Sequence, residues 1–390
     1  MPEAMSHRIV ITGGGTGGHI YPALAVAEAL NETQKDISIL YVGKTTGMEA
    51  ELVSKAGFSF QGILFSGMPR VKSLLLPVQL MGWLWQLVAA VVASMRILRQ
   101  FRAQLVFGTG GYVSGPVLIA ARLIGIPVVI HEPDARPGLV NRFLAPFATC
   151  VTAAFEVSRH QLNTKQFVHT GNPLRGSIIE SLKRTEALAQ WQALFPSKAW
   201  SAERKTLLIV GGSQGAQTLN QVTVELLDVL LNQMHLQVIH QTGGKLYAPY
   251  WERLPEQYKE HSGYIVAPFF DNMPLALALS DVAICRAGSL TLSEMTACHI
   301  PTILVPYPFA AANHQQKNAE AMVQAGAARM VLDKQCHPET ILSHLNEILE
   351  TPSVLTSMQE AATKMAKPRA TQAILAQLDR VLTRTLESSD

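Results

Sequence analysis

The chain has 390 residues, 48% of them apolar, which is long for one compact core and favours two domains of ordinary size. Its four cysteines, Cys150, Cys285, Cys298 and Cys336, are scattered without metal-ligand spacing, which argues against a zinc site and a disulfide framework and fits a reducing cytoplasm. Net charge is only +3 but unevenly spread, because the window from Leu52 to His131 holds seven Lys and Arg and no acid, leaving the rest net acidic.

Taken from the start, MPEAMSH is polar and lacks the charged-then-apolar pattern of an export signal. A strand at Arg8–Thr12 runs into a glycine turn and a helix start, RIVITGGGTGGH. Gly13, Gly15 and Gly18 satisfy GxGxxG, whose glycines let a backbone approach a pyrophosphate at a helix N-terminus. A nicotinamide or flavin enzyme then needs an acid closing the second strand. That strand, Ile37–Val42, ends in Gly43-Lys44, with Asp36 before it, so the oxidoreductase reading fails. What remains is a diphosphate-friendly loop carrying Thr16, Gly17, Gly18 and His19. A histidine there is more often structural than catalytic, yet its closeness to an anion site keeps it a candidate.

The acid-free window follows. Ser73–Met95 is uncharged and about as long as a membrane span. Spanning would put GGGTGGH and GTGGY on opposite sides of a membrane although both belong to one sheet, and Pro77, Gln79, Gly82 and Gln86 make a poor span. Leu87–Leu98 reads as a crossover helix buried on the sheet, whereas Leu74–Trp85 reads as interfacial. Leu75, Trp83, Trp85, Arg96 and Arg99 are the expected contacts with an anionic membrane surface, and the apolar interleaving favours lipid over nucleic acid.

Strands at Leu105–Phe107 and Pro127–Ile130 complete the first array, and those at Thr206–Val210, Leu236–His240, Ala283–Cys285 and Thr302–Val305 form a second. The halves share a plan: RIVITGGGTGGH is answered by TLLIVGGSQGAQ, and FGTGGYVSGP by CRAGSLTLSE. The expected fold is therefore α/β, two Rossmann-like domains facing across a cleft ringed by four glycine-rich helix starts. The boundary falls near GNPLR, giving 1–173 and 174–367, with 368–390 returning to the first domain after Pro368. In the second half Gly211–Gly215, with Ser213, and Arg286–Thr291 supply phosphate donors. Glu294 suits a ribose diol, and Asn313, Gln315, Gln316 and Asn318 are amides of the kind that read sugar hydroxyls.

GGGTGGHIYPALAVAEAL, GTGGYVSGPV, HEPDARPGLVNR, GNPLR, GGSQGAQTLN, and CRAGSLTLSE followed by QQKNA resemble, in order and over nearly the whole chain, the MurG family of UDP-N-acetylglucosamine transferases that complete lipid II in peptidoglycan synthesis. The resemblance implies a GT-B fold and inverting transfer from UDP-GlcNAc to the C4 hydroxyl of undecaprenyl-diphosphate-linked muramyl pentapeptide, with neither cofactor nor metal. Carried over by motif, it implies Arg175, Ser213, the backbone after Phe270, Leu290, Thr291, Glu294, Gln315 and Gln316 as donor contacts, with Thr16, Gly17 and Gly18 also reaching the donor. Thr16, His19, Tyr112, Asp134 and Asn141 fall on the acceptor side. It further implies a peripheral place on the cytoplasmic face of the inner membrane, with a cell-wall synthesis or division complex as a partner. One departure stands out: where the family reads HEQN, this chain reads His131-Glu132-Pro133-Asp134, with an acid for an amide.

Inverting transfer needs a base near the acceptor hydroxyl and stabilisation of the departing diphosphate. His19 leads as base, with Asp134 and Glu132 behind it, and helix amides at Ser213 and Ser289–Thr291 take the second task with Arg175. A UDP-GlcNAc epimerase would have no use for the basic, Trp-bearing segment, and a membrane scaffold no use for the full set of donor loops.

Overall fold

The structure, a computed structural model, describes residues 7–34, 36–69, 76–174, 182–212 and 214–387. Expectations resting on Leu75, Arg175 and Ser213 lie outside those residues. The chain divides into two compact units, Met1–Leu174 with Arg369–Asp390, and Arg175–Pro368.

The first unit is built on a parallel sheet of seven strands: β1 (His7–Thr12), β2 (Ile37–Lys44), β3 (Ser59–Ile63), β4 (Leu105–Gly108), β5 (Val128–Glu132), β6 (Cys150–Ala153) and β7 (Phe167–His169), in the order β3-β2-β1-β4-β5-β6-β7. Side chains alternate across it, and both faces are covered, as a parallel sheet requires. Ile9, Ile11 and Phe107 face one core with Leu24 and Leu30 of helix α1 (Gly17–Thr33). Val10, Val106 and Ile130 face the other, with Leu98, Val117 and Leu144 from three later helices. Of the helices that follow α1, α2 is Met48–Lys55, α3 Leu76–Phe101, α4 Ser114–Leu123 and α5 Leu139–Leu144. The C-terminal helix, Ala370–Glu387, buries Ile374, Leu378, Val381 and Leu382 against the α1 side, and Thr371 donates to the Leu174 carbonyl (3.0 Å).

Among the described residues, one helical stretch, Val78–Phe101, is long and apolar enough to cross a membrane. Its second half is committed elsewhere: Ala90, Val91, Ser94, Ile97 and Leu98 are buried, and the four apolar ones share the core of α4 and the sheet. It is the crossover between β3 and β4 of one sheet, so both its ends return to that sheet. The first half leaves Val78, Met81, Leu84, Trp85 and Val88 exposed.

The second unit is a parallel sheet of six strands, β8 (Thr206–Val210), β9 (Gln237–Gln241), β10 (Tyr264–Ala267), β11 (Val282–Cys285), β12 (Thr302–Leu304) and β13 (Ala328–Met330), in the order β10-β9-β8-β11-β12-β13. In each sheet the strand order reverses once, between β1 and β4 and between β8 and β11. The four glycine-rich loops singled out in the sequence leave the carboxyl ends of those four strands, where open α/β sheets bind ligands. The apolar runs predict β1, β2, β4, β5, β8, β9, β11 and β12, which include the four switch strands; β3, β6, β7, β10 and β13 are found only in the structure.

Each sheet hides a histidine knot. His131, at the end of β5, bonds Thr152 through Nδ1 (3.0 Å) and Asn172 through Nε2 (2.9 Å), and burial pushes its pKa down to about 4 against the opposing Asn172 bond. His240, on β9, bonds the Tyr264 hydroxyl (3.0 Å) and Asn220 (3.1 Å), and burial pushes it down to about 3. Both stay neutral in the fold while their unfolded counterparts titrate near 6.5. The stability these knots contribute is therefore complete above about pH 6.5 and is lost as pH falls toward 4 and 3, at about 2 kcal/mol per histidine by pH 5. Denaturant titration at pH 7.5 and pH 5 should show that loss, and His240→Gln should remove about that much of it; an equal loss in the variant would rule out His240 as its source.

Candidate functional site

In the first unit the loops after β1 and β4 lock together. The Gly14 N–H donates to the Gly110 carbonyl (3.3 Å), and the Thr109 hydroxyl donates to the His19 carbonyl (2.6 Å). A Cβ on Gly111, where φ is +81°, would overlap the Gly14 carbonyl oxygen, and one on Gly13 would overlap the Thr109 hydroxyl. The glycines thus serve loop-on-loop packing, where the sequence pattern alone suggested phosphate approach. Thr16 opens α1 with extended backbone, is exposed, and its hydroxyl makes no capping bond. Gly17 and Gly18 form the first turn of the same helix.

His19 is half-buried, and its Nδ1 lies 2.9 Å from the Thr109 carbonyl oxygen. A carbonyl only accepts, so Nδ1 carries the hydrogen and the neutral ring holds its lone pair on Nε2, the tautomer a base requires. A Cβ on Gly15 would sit 3.0 Å from the Tyr112 ring, and one on Gly110 would sit 3.2 Å from the His19 ring and 3.1 Å from Asn141 Nδ2. Thr16, His19, Tyr112 and Asn141 are therefore gathered around one pair of glycine turns.

The loop after β5 corrects two expectations. Glu132 is 1% exposed and spends both oxygens internally: Oε1 accepts the Asp134 N–H (2.9 Å), and Oε2 accepts the Gly138 N–H (3.1 Å) and Asn141 Nδ2 (2.8 Å). Burial pushes its pKa up to about 8, the Asp134 charge adds to this, and the three donors oppose it. A carboxyl group so enclosed has no route to an acceptor hydroxyl; it positions the loop. Asn141 is likewise buried, its NH2 divided between Glu132 and the His131 carbonyl (3.2 Å), which makes it a strut beneath the site. Asp134 stays half-buried on the loop. Asn172, in the GNPLR stretch, also donates to the Pro133 carbonyl (3.3 Å) and so holds the same loop from the other side.

In the second unit the interlocking partner differs from the one the sequence suggests. Gly215, at φ +81°, has no room for a Cβ beside the Thr242 carbonyl, and Gly243, at φ +87°, none beside the Gly215 backbone. The β8 turn thus packs on Gln241-Thr242-Gly243 after β9. Gln241 Oε1 accepts the Phe270 N–H (3.0 Å), and the Phe270 ring is buried 5.8 Å from that of Trp191. The Phe270 amide hydrogen is therefore already used within the unit. Beside it a cavity of about 280 Å³ is walled by Trp191, Phe195, Phe269, Phe270, Asp271 and Asn272.

The helix Ser289–Ala297 begins after β11 and carries Leu290, Thr291 and Glu294, all half-buried, within one turn of each other. Arg286 is buried, and its Nη1 donates to the Val305 carbonyl (3.0 Å), the Pro306 carbonyl (3.3 Å) and Asp333 (2.5 Å). After β12, Ala312 and Asn313 take left-handed φ of 51° and 59°, a strain of about 1–2 kcal/mol per residue that clusters at binding loops. This turn launches the helix His314–Gln324. Gln315 gives its oxygen to the Tyr307 N–H (2.9 Å); Gln316 bonds Asn313 (2.7 Å) and Glu320 (3.0 Å); Asn318 is buried on the Ala287 carbonyl (3.1 Å).

Of the expected membrane residues, Trp85 is 75% exposed, and Arg96 and Arg99 are exposed. Trp83 is half-buried: its indole N–H donates to the Ser66 carbonyl (3.1 Å) and its ring lies 5.9 Å from that of Phe65. Met81 and Leu84, within the stretch Leu74–Trp85 read as interfacial, are also exposed. Glu49 also escaped notice. It is buried under the first glycine turn, accepts the Lys44 N–H (2.9 Å), and leaves no room for a Cβ at Gly14, Gly43 or Gly47, while Tyr41 donates to the Gly13 carbonyl (2.6 Å).

Residues 9–153 match the glycosyltransferase family 28 N-terminal domain, and residues 206–374 match the family's C-terminal domain. The chain is 39% identical over 381 residues to the UDP-N-acetylglucosamine–N-acetylmuramyl-(pentapeptide) pyrophosphoryl-undecaprenol N-acetylglucosamine transferase of Desulforamulus reducens, covering 97% of this chain and 99% of the relative. It is 38% identical over 374 residues to the enzyme of that name from Halothermothrix orenii, covering 94% and 97%. The crystal structure of Acinetobacter baumannii MurG superposes with a TM-score of 0.74 at 30% identity, covering 96% of this chain and 99% of that one.

Proposed function

The chain belongs to the MurG family within glycosyltransferase family 28, and we propose that, as a UDP-GlcNAc hexosyltransferase, it carries N-acetylglucosamine to the C4 hydroxyl of lipid-linked N-acetylmuramyl-pentapeptide, turning lipid I into lipid II with inversion and without a metal. The full-length likeness to transferases of that name carries the reading. Incubating the protein with UDP-GlcNAc and lipid-linked muramyl pentapeptide should release UDP and form lipid II; UDP release without a disaccharide product would refute it.

The chemistry follows from the residues. The acceptor oxygen bonds to the anomeric carbon as the bond from that carbon to UDP breaks, and the acceptor proton passes to His19 Nε2, whose lone pair the Thr109 carbonyl fixes by holding the hydrogen on Nδ1. Asp134, half-buried nearby in sequence to the loop held by Glu132, is the alternative base. The donor's diphosphate lies on the amides opening Ser289–Ala297 and on the β8 turn, with Arg175 and Ser213 beside it; Glu294 holds the ribose diol, and the Gln315 NH2 reads a sugar oxygen. Thr16 and Tyr112 line the acceptor side.

The first unit sits peripherally on the cytoplasmic face of the inner membrane through the exposed first half of α3, with Arg96 and Arg99 adding attraction to anionic lipid. That is where an undecaprenyl-linked substrate resides and where wall synthesis supports cell shape and division.

His19→Ala should lower turnover by ~100-fold or more with UDP affinity unchanged. Steady-state kinetics showing near wild-type rate, with collapse instead in Asp134→Asn, would move the base to Asp134.

Glu294→Ala should weaken UDP binding by roughly 1–3 kcal/mol, the scale of a lost bond to a charged group. Calorimetry returning the wild-type affinity for a folded variant would remove Glu294 from the ribose.

Replacing Met81, Leu84 and Trp85 with Ser should weaken binding to anionic vesicles at every salt concentration, because inserted apolar groups are not screened, and should spare UDP binding. Vesicle flotation with undiminished binding would make the exposed half of α3 a surface with no lipid role.

A further inference from the structure

We infer that Phe309, on the loop after β12, is the apolar wall on which the sugar ring of the donor stacks, a contact additional to those proposed above. Its side chain is 80% exposed, as much as that of any large apolar residue among the described residues. Apolar side chains scattered singly over a surface are ordinary, but this one stands on a loop fixed along its length. The Ala310 N–H donates to the Tyr307 carbonyl (3.2 Å) and the Asn313 N–H to the Ala310 carbonyl (2.9 Å). The Tyr307 N–H donates to Gln315 Oε1 (2.9 Å), which ties the start of the loop to the helix that follows it. The Phe309 ring meets that of Tyr307 edge-on, with centroids 5.7 Å apart, and the buried Arg286 steadies Tyr307 in turn, its guanidinium 5.7 Å from the tyrosine centroid. A ring buttressed in this way is ordered before a ligand arrives, so little further entropy is lost on binding.

The occupant follows from the chemistry of the loop, and the inference rests on the donor reading above. From Tyr307 to Gln316 there is no Asp, Glu, Lys or Arg, so the segment suits a neutral group better than a phosphate or a peptide carboxylate. Three amides follow the ring in the chain, Asn313, Gln315 and Gln316, with Asn313 donating to Gln316 Oε1 (2.7 Å). An aromatic face beside amides is what a pyranose requires. Its equatorial hydroxyls form a polar rim that amides read, and its axial C–H groups form an apolar face that gains by leaving water. The Gln315 amide assigned to the sugar addresses the rim and leaves that face without a partner. Phe309, linked to the Gln315 side chain through Tyr307, supplies one. The left-handed pair Ala312 and Asn313 lies between the two and turns the chain from the ring back to the glutamines, which gives its strain a use.

The test compares the full chain with its Phe309→Ala and Phe309→Trp variants, titrated in the calorimeter with UDP-GlcNAc and, separately, with UDP. Phe309→Ala should bind UDP-GlcNAc roughly tenfold more weakly than wild type, the scale of a lost aromatic stack with its buried area. It should bind UDP as wild type does, because UDP carries no sugar, and that result also shows the fold and the nucleotide loops intact. Phe309→Trp, which keeps a ring face, should restore most of the UDP-GlcNAc affinity. In turnover the KM for UDP-GlcNAc should rise in Phe309→Ala while the KM for the lipid-linked acceptor stays. Wild-type UDP-GlcNAc affinity in Phe309→Ala would overturn the inference. So would an equal loss for UDP, which would make the ring a support of the nucleotide or of the loop, and so would a rise confined to the acceptor KM. If wild type binds UDP-GlcNAc but forms no lipid II, the acceptor reading fails alone and the Phe309→Ala titration still upholds or overturns the stack; if wild type does not bind UDP-GlcNAc, both fall.

Discussion

Backbone packed on backbone at the carboxyl ends of neighbouring strands is the constraint on which the rest of this protein depends. At Gly14 and Gly111 in one unit, and at Gly215 and Gly243 in the other, adjacent turns approach so closely that one Cβ would displace a carbonyl or a peptide of the facing loop. Positive φ at Gly111, Gly215 and Gly243 adds a second bar to any other residue there. The consequence reaches side chains that are not glycine. Because the β1 and β4 turns interlock, the Thr109 carbonyl arrives 2.9 Å from His19 Nδ1 and selects the tautomer. Because the β8 turn interlocks with that after β9, Gln241 is placed to hold the Phe270 backbone.

Beneath these turns each unit is held by buried polar groups, and their cost explains their partners. His131, Glu132 and Asn141 lie together at 0–1% exposure, which is tolerable only because the histidine and the carboxylate are bonded at both ends and the asparagine NH2 is fully used. In the second unit His240, Asn220, Tyr264 and Tyr250 form the corresponding chain, with the two tyrosine hydroxyls 2.6 Å apart. Above this support Thr16, in the first unit, is exposed with no capping bond, and Gln315, in the second, commits its side-chain oxygen to the Tyr307 N–H.

How much of this was legible follows from range. The inner strands, both glycine turns and the return of the last helix are local patterns of apolar runs, glycine and proline, and the sequence displays them. The partner of the β8 turn was not legible, because GTGGY and CRAGS look alike as text, while the interlock is set by which strand lies beside β8; the QTGG stretch was its only trace. Glu49, Asn172 and Gln241 act across 5 to 41 residues through one or two side-chain bonds each, a range at which no local pattern announces the partner. Trp83 and Trp85 could not be told apart by composition, since two positions on a helix decide which ring meets Phe65 and which meets solvent.

The acid at position 134 gains its meaning from this framework. In the family pattern an amide stands there, so the peptide N–H that Glu132 binds would bring no second charge with it. Here that N–H belongs to a residue whose own carboxylate repels Glu132, and the Asp134 charge joins burial in raising the Glu132 pKa. The three N–H donors on its oxygens favour the ionised form of Glu132 and so oppose that push. Asp134 therefore works against the group that orders its own loop. The tension is borne because Gly138, Asn141, and Asn172 through the Pro133 carbonyl, hold the loop at points that the charge at 134 does not touch. An acid can thus be carried at position 134 without loss of the loop, on a residue that stays half-buried.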